Sequence, residues 1–214
     1  MSNGTNYTIN TLEDLKKWNT TSNLIFNKDI FITSSDNFIP INLVGSDIYI
    51  NGNGYTINVN FTTKILWTGL LNITSSVKSV NIINLTVNFL TPTDLQTGMG
   101  GFIGESSGFN ISNVITIKNS IVKGNLNISG SGSGGFVGKE LNVAIKYCSS
   151  LCVINGINAG GIVGSKCVGY VYNCQSTGDI SGLGAGGIVG AYFRGYVYYS
   201  KSLGNILNSC GGIA

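Results

Sequence analysis

The tail of this chain writes one short phrase several times, and that repetition limits the folds open to it. Gly134-Gly135-Phe136-Val137-Gly138 returns as Gly160-Gly161-Ile162-Val163-Gly164 and as Gly186-Gly187-Ile188-Val189-Gly190, and Gly211-Gly212-Ile213 begins a fourth copy. The spacings are 26, 26 and 25 residues. A looser copy, Gly100-Gly101-Phe102-Ile103-Gly104, lies 34 residues upstream of the first. A fixed period between about 20 and 50 residues marks a stacked-repeat architecture, in which each unit buries its apolar side chains only against the next.

Superposing the copies shows which positions stay apolar. Ile117, Ile145, Val171 and Val197 fall at one of them, Leu126, Ile154, Ile180 and Ile206 at a second, and Phe102, Phe136, Ile162 and Ile188 at a third. The segments around them are short, β-branched and punctuated by Gly, Asn and Ser, which describes brief strands joined by tight turns. Helices are disfavoured, because each interior glycine costs a helix about 1 kcal/mol. A coil of this length, with three strands and three corners, predicts an all-β fold: a parallel β-helix, or solenoid, with coils about 4.8 Å apart. The handedness expected from the general crossover rule is right-handed. A propeller blade needs about 40 residues.

One domain over 1–214 accommodates the whole pattern. Residues 19–99 read as irregular coils and 100–214 as regular coils, the last of them incomplete. The convincing helical signal is at 11–18, where Thr11 can cap, Glu13 and Asp14 occupy the first turn, and Leu12, Leu15 and Trp18 share a face. The first coil of a solenoid exposes an apolar end and unpaired strand edges, so this helix reads as an N-terminal cap, with a partner-binding helix as the alternative. Strands are expected at 23–26, 29–33, 47–50, 55–59 and 82–87. The double Asn-Gly at Asn51-Gly52-Asn53-Gly54 marks a sharp corner. Residues 91–98 and 107–113 read as protruding loops.

Charge narrows the function classes. Residues 1–99 carry five Lys against six acids, and residues 100–214 seven basic residues against three acids, a tilt too diffuse for a nucleic-acid groove. No run approaches the roughly 18 apolar residues of a membrane span. Met1 to Asn6 leads into polar sequence, unlike the apolar core of a secretory signal.

The phrase Asn51-Gly52-Asn53-Gly54-Tyr55-Thr56-Ile57, then Trp67-Thr68-Gly69-Leu70-Leu71, then the Gly-Gly-Ile-Val-Gly copies resembles bacterial surface proteins with GLUG repeats. The tract Asn173-Cys174-Gln175-Ser176-Thr177-Gly178-Asp179-Ile180-Ser181-Gly182 is similar to the same motif. The likeness spans most of 39–214. It implies repeats belonging to large adhesins, or placed beside peptidase domains that do the chemistry, and a cell-surface location. The Asn- and Ile-heavy composition also resembles repeat proteins of giant DNA viruses, which would imply a virion component.

Cys148 and Cys174 share a repeat position with Ser120 and Ser200, which reads as a ladder of small side chains at a corner, with an inter-coil disulfide as the alternative. Cys152, Cys167 and Cys210 fall elsewhere. With five cysteines, no histidine and no Cys-x-x-Cys, no zinc site, other metal site or cofactor is called for. β-Helix lyases and hydrolases need grouped acids. Asp179, aligned with Asn125, Val153 and Asn205, reads as a turn residue; Glu105 and Glu140 are out of lane. Asp29, Asp36, Asp47 and Asp94 would make a site only by converging, so no catalytic residue is assigned.

The tyrosines are the candidate binding residues. If Val171 and Val197 point inward, then Tyr170 and Tyr172, and Tyr196 and Tyr198, point outward. Stacked, they form a two-by-two aromatic patch, with Lys118 and Lys146 continuing one lane. The alternatives are a ligand or partner surface and a ladder that shields the sheet. Asn-x-Ser/Thr sequons begin at Asn3, Asn6, Asn19, Asn60, Asn72, Asn84, Asn110 and Asn127. The final coil leaves Ile213 uncovered, which suggests either a longer protein or contact with a second copy.

The combined expectation is a non-catalytic structural or adhesive surface module that touches a glycan or a host-surface protein. Its rivals are a carbohydrate-active enzyme of the β-helix type and a self-assembling structural protein.

Overall fold

The structure, a computed structural model, describes residues 5–104, 114–207 and 209–213. Glu105, Asn3, Asn110 and the 107–113 excursion lie outside the described residues.

Among the described residues the chain winds as a parallel β-solenoid. Eight strands stack in chain order on one face: Asn6–Ile9, Asn23–Phe26, Asp47–Asn51, Ser79–Ile83, Val114–Lys118, Asn142–Lys146, Val168–Tyr172 and Arg194–Tyr198. A second face is built from Ile30–Thr33, Thr56–Asn60, Thr86–Leu95, Ile121–Ile128, Ser149–Ser150, Gln175–Ser176 and Lys201–Ser202, with Ile65–Trp67 and Val153–Ile154 alongside the two longest strands. The third face begins with Ile41–Leu43 paired to Leu71–Ile73. It continues as single bridges, Gly100 to Gly134 to Gly160 to Gly186 to Gly211, and Ile103 to Val137 to Val163 to Val189. The repeated glycine phrase therefore forms the third wall.

Period-2 alternation turns Ile115, Ile117, Val143, Ile145 and Val171 inward on the first face, all essentially without exposure. Phe102, Phe136, Ile162 and Ile188 line the interior of the third wall, and the Phe102 and Phe136 rings stack at 5.2 Å. Trp67 is buried between Phe38 and Phe89, and its Nε1 donates to the Gly101 carbonyl at 3.0 Å.

Two side-chain ladders reinforce the backbone. Asparagines stack amide on amide between coils: Asn23 to Asn6, Asn27 to Asn10, Asn72 to Asn42, Asn88 to Asn58 and Asn119 to Asn84, at 3.0–3.3 Å. The abundance of Asn and the sequon count thus have a structural use, since Asn6, Asn72 and Asn84 all belong to these ladders. At the corner after the first face, Ser120, Cys148, Cys174 and Ser200 each donate to the carbonyl two residues back. The residue just before each of them, together with Asn84 before Leu85, turns the chain at φ of 49–54°. Asparagine adopts that left-handed region readily, and Asn84, Asn119 and Asn173 do so. Tyr147 and Tyr199 are held there too, less comfortably.

The interior is narrow where the second and third walls meet. Ser150 and Ser176 are fully buried, and their Oγ atoms, like that of Ser202, make no hydrogen bond. They face Gly135, Gly161 and Gly187: a Cβ on Gly161 would fall on the Gly187 carbonyl oxygen and on the Ser176 Oγ.

The helix is confirmed at Leu12–Lys17 with a full capping box. Asp14 N–H donates to Thr11 Oγ1 at 3.1 Å, and the Asp14 carboxylate accepts the Thr11 N–H at 2.9 Å. Leu15 and Trp18 are buried, and the helix touches Asn6–Ile9 and Ile30–Thr33, the outermost strands of two faces, so it covers the first coil. It does not precede the sheet, however, because Asn6–Ile9 already pairs with Asn23–Phe26.

Three expectations are corrected. Residues 91–95 are not part of a loop, and only a turn at 96–98 remains of the expected excursion: Thr86–Leu95 is one long strand with a register shift between Phe89 and Thr93 that accommodates Pro92. The 82–87 run is not one strand, because Asn84 breaks it into a corner. Ile128, not Leu126, pairs with Ile154, and Asn127, not Asn125, occupies the lane of Val153 and Asp179. Between Val122 and Asn127, around Gly124 at positive φ, this strand carries two residues more than the next coil, and that bulge shifts the alignment.

The serine–glycine contact yields a paired prediction. Gly161→Ala is expected to cost about 3 kcal/mol in urea unfolding, the upper part of the overpacking range. Ser176→Ala, which removes a buried hydroxyl without a partner, should leave stability unchanged or raise it by about 1 kcal/mol.

Candidate functional site

The outward side of the first face carries the largest concentration of aromatic rings. Backbone pairing sets Tyr170 beside Tyr196 and Tyr172 beside Tyr198, while Val171 and Val197 lie between them on the inward side. The same register places Lys146 beside Tyr172, and Lys118 beside Lys146. The four tyrosines expected from the sequence therefore come together, with both lysines continuing the lane.

The sequence reading missed the corner residues. Tyr147 and Tyr199, turned at positive φ just past the strands, fold back onto the patch. The Tyr172 ring meets Tyr147 edge-on at 5.5 Å and Tyr199 edge-on at 5.5 Å, while Tyr196 and Tyr198 lie nearly parallel at 5.6 Å. The signal was present, since Tyr147 and Tyr199 stand one period either side of Asn173, a corner asparagine. Six tyrosines and Lys146 line an open groove of about 590 Å³, within the size range of small-molecule sites.

Burial separates the two readings of the patch. Tyr170 and Tyr172 are half-buried and do shield the sheet. Tyr196 is 64 % exposed and Tyr199 80 % exposed, so much of each ring lies open to solvent even though Tyr196 stacks on Tyr198 and Tyr199 meets Tyr172 edge-on. Lys146 Nζ stands 4.9 Å from the centre of the Tyr170 ring. A hydrogen bond with the Tyr170 phenol raises the Lys146 ammonium above its ordinary pKa. Among the described residues no acid lines the groove.

The acids are dispersed. Asp29 accepts the Thr56 N–H at 2.8 Å; Asp47 accepts the hydroxyls of Ser79 and Ser46. Asp36 takes the Thr33 hydroxyl and N–H at 2.6 Å each, bonds that hold its carboxyl below the usual range. Asp94 pairs with Lys64 at 2.8 Å and accepts from Asn127. Asp179 accepts from the backbone and side chain of Asn205, the turn role expected of it. Glu140 pairs with Lys166 at 3.5 Å. Among the described residues no three of His, Cys, Asp or Glu could hold a metal ion. No helix of the described residues is long and apolar enough to cross a membrane.

All five cysteines are free thiols, so the disulfide alternative for Cys148 and Cys174 is not realised. Burial pushes the Cys148 thiol up, and pushes Cys152 and Cys167 to about 12. Cys210 is partly exposed and donates to the Gly182 carbonyl at 3.0 Å.

No protein-family model matches the sequence, and no curated protein matches it. Among solved structures the chain is similar to one described as a "putative immunoglobulin A1 protease" from Bacteroides ovatus. The TM-score is 0.55 at 17 % identity, covering 94 % of this chain and 77 % of that one. At that identity the likeness carries the fold alone.

The thiols give a measurable pH dependence. Cys152 and Cys167 have folded values near 12 against an ordinary 9.0. The unfolded chain therefore ionises first, and the stability tied to these groups is complete below pH 9 and lost as pH rises toward 12. The urea midpoint should fall above pH 9, and a Cys152→Ala/Cys167→Ala variant should show a shallower fall. A thiol reagent at pH 8 should label Cys210 quickly, and the other four only on unfolding.

Proposed function

We propose that this chain is a non-catalytic scaffold whose tyrosine groove binds a carbohydrate. The observation that carries the reading is the set of exposed tyrosine rings fixed on paired strands around one groove, with no acid among the groove-lining residues described. Tyrosine offers a broad apolar face at the cost of two side-chain torsions, and a rigid sheet reduces even that ordering cost. The C–H face of a sugar ring stacks on such a surface, and the phenol oxygens at its rim can meet the sugar hydroxyls. The cation already lodged over Tyr170 disfavours a cationic ligand at the same rings. This role fits the resemblance to repeat-bearing adhesins.

The enzyme alternative has less support. The carboxylates it would use are each engaged in separate local bonds, and a protease activity of the structural neighbour does not transfer to a chain of 17 % identity. A second reading is contact between copies through the same exposed tyrosine face.

A glycan-array screen of the protein beside a Tyr172→Ala/Tyr198→Ala variant tests the proposal. Selective binding by the parent, reduced at least tenfold in a variant with unchanged circular dichroism, is the expected result. A folded parent that binds no glycan would count against the reading and leave contact between copies as the better supported one.

A further inference from the structure

Resting on the carbohydrate reading of the groove, we propose that the saccharide it takes is acidic, with its anionic group seated at Lys146. The groove is chemically uneven. Tyr196, Tyr198 and Tyr199 occupy one end and offer ring faces and phenols. Lys146 occupies the other end, two coils earlier, in register with Tyr172 of the coil between.

No carboxylate within the described residues is paired with Lys146, although Lys16, Lys64 and Lys166 each have one. The ammonium instead sits over the Tyr170 ring. A ring face spreads its weak attraction over many atoms and leaves N–H donors free for an incoming anion. Lys118 follows in the same lane, one coil before Lys146, and extends the positive charge beyond that end of the groove.

A neutral sugar would use the tyrosines and leave this charge idle. An acidic sugar uses both features, stacking on Tyr172 and Tyr198 while its anionic group reaches Lys146. Because strands pair about 4.8 Å apart, these contacts lie within the span of a disaccharide. Carboxylate and sulfate ester satisfy the geometry equally, and the shared chemistry is an anionic oxygen group beside a stacking ring.

The test compares three oligosaccharide probes by calorimetry: a hexuronate oligomer, the same oligomer with its carboxyls reduced to alcohols, and a sulfated neutral-backbone oligomer. At least one anionic probe should bind about tenfold more tightly than the reduced oligomer, and which one does so identifies the anion. Lys146→Met should abolish that difference while leaving the reduced oligomer's affinity unchanged, and Lys146→Arg should restore most of it.

Equal binding of all three probes, unaffected by Lys146→Met, would overturn the acidic assignment and leave the carbohydrate reading standing. Binding of none by the folded protein would take down both. Tighter binding of a single-stranded oligothymidylate than of any saccharide would overturn the assignment in favour of a nucleic-acid ligand, since bases also stack on tyrosine.

Discussion

Everything in this molecule depends on the hydrogen bonds that run from each coil to the next. A parallel strand satisfies its backbone only through its neighbours, so no coil is stable alone and each fixes the height and register of the one above. The short strands on the later coils, such as Gln175–Ser176, make few such bonds. The columns of side chains supplement them: asparagine amides near the N-terminal end, and the Ser120, Cys148, Cys174 and Ser200 corner further on. Buried cysteines take part as small hydrogen-bonding residues, and the raised thiol value of Cys148 follows from that burial.

The same register that builds the core builds the groove. Inward valines and outward tyrosines are two consequences of one alternating strand, repeated in Val168–Tyr172 and Arg194–Tyr198. Tyr147 and Tyr199 belong to a different element, the left-handed corner, and their use there is locally costly compared with asparagine. Their edge-on contacts with Tyr172 show what the corner gains in return: two more rings directed at one surface.

Much of the fold was legible because it is periodic. The 26-residue spacing announced the solenoid, alternation around Val171 placed four tyrosines outside, and the Thr11 cap with its acidic first turn marked the helix. What could not be read was irregular. The bulge near Gly124 changed which residues stack on Ile154, and nothing in the local sequence counts residues across a bulge. Asn84 interrupted an apparently continuous strand because asparagine enters left-handed backbone readily. Tyr147 and Tyr199 escaped notice because they belong to no alternating pattern, although Asn173, halfway between them in sequence, marks the same corner. The serine–glycine closeness of two walls is a tertiary contact between positions whose sequence separation alone does not suggest it.

The equivalence of Gly134, Gly160 and Gly186 also has a hereditary consequence. A stretch of 26 residues cut anywhere in this region begins and ends at matching points of the coil. An in-frame duplication or deletion of that length would therefore add or remove one whole rung, with its corner, its core residues and its row of outward side chains. The extent of the aromatic surface can then change by recombination alone, in steps of one rung, without any new packing problem having to be solved.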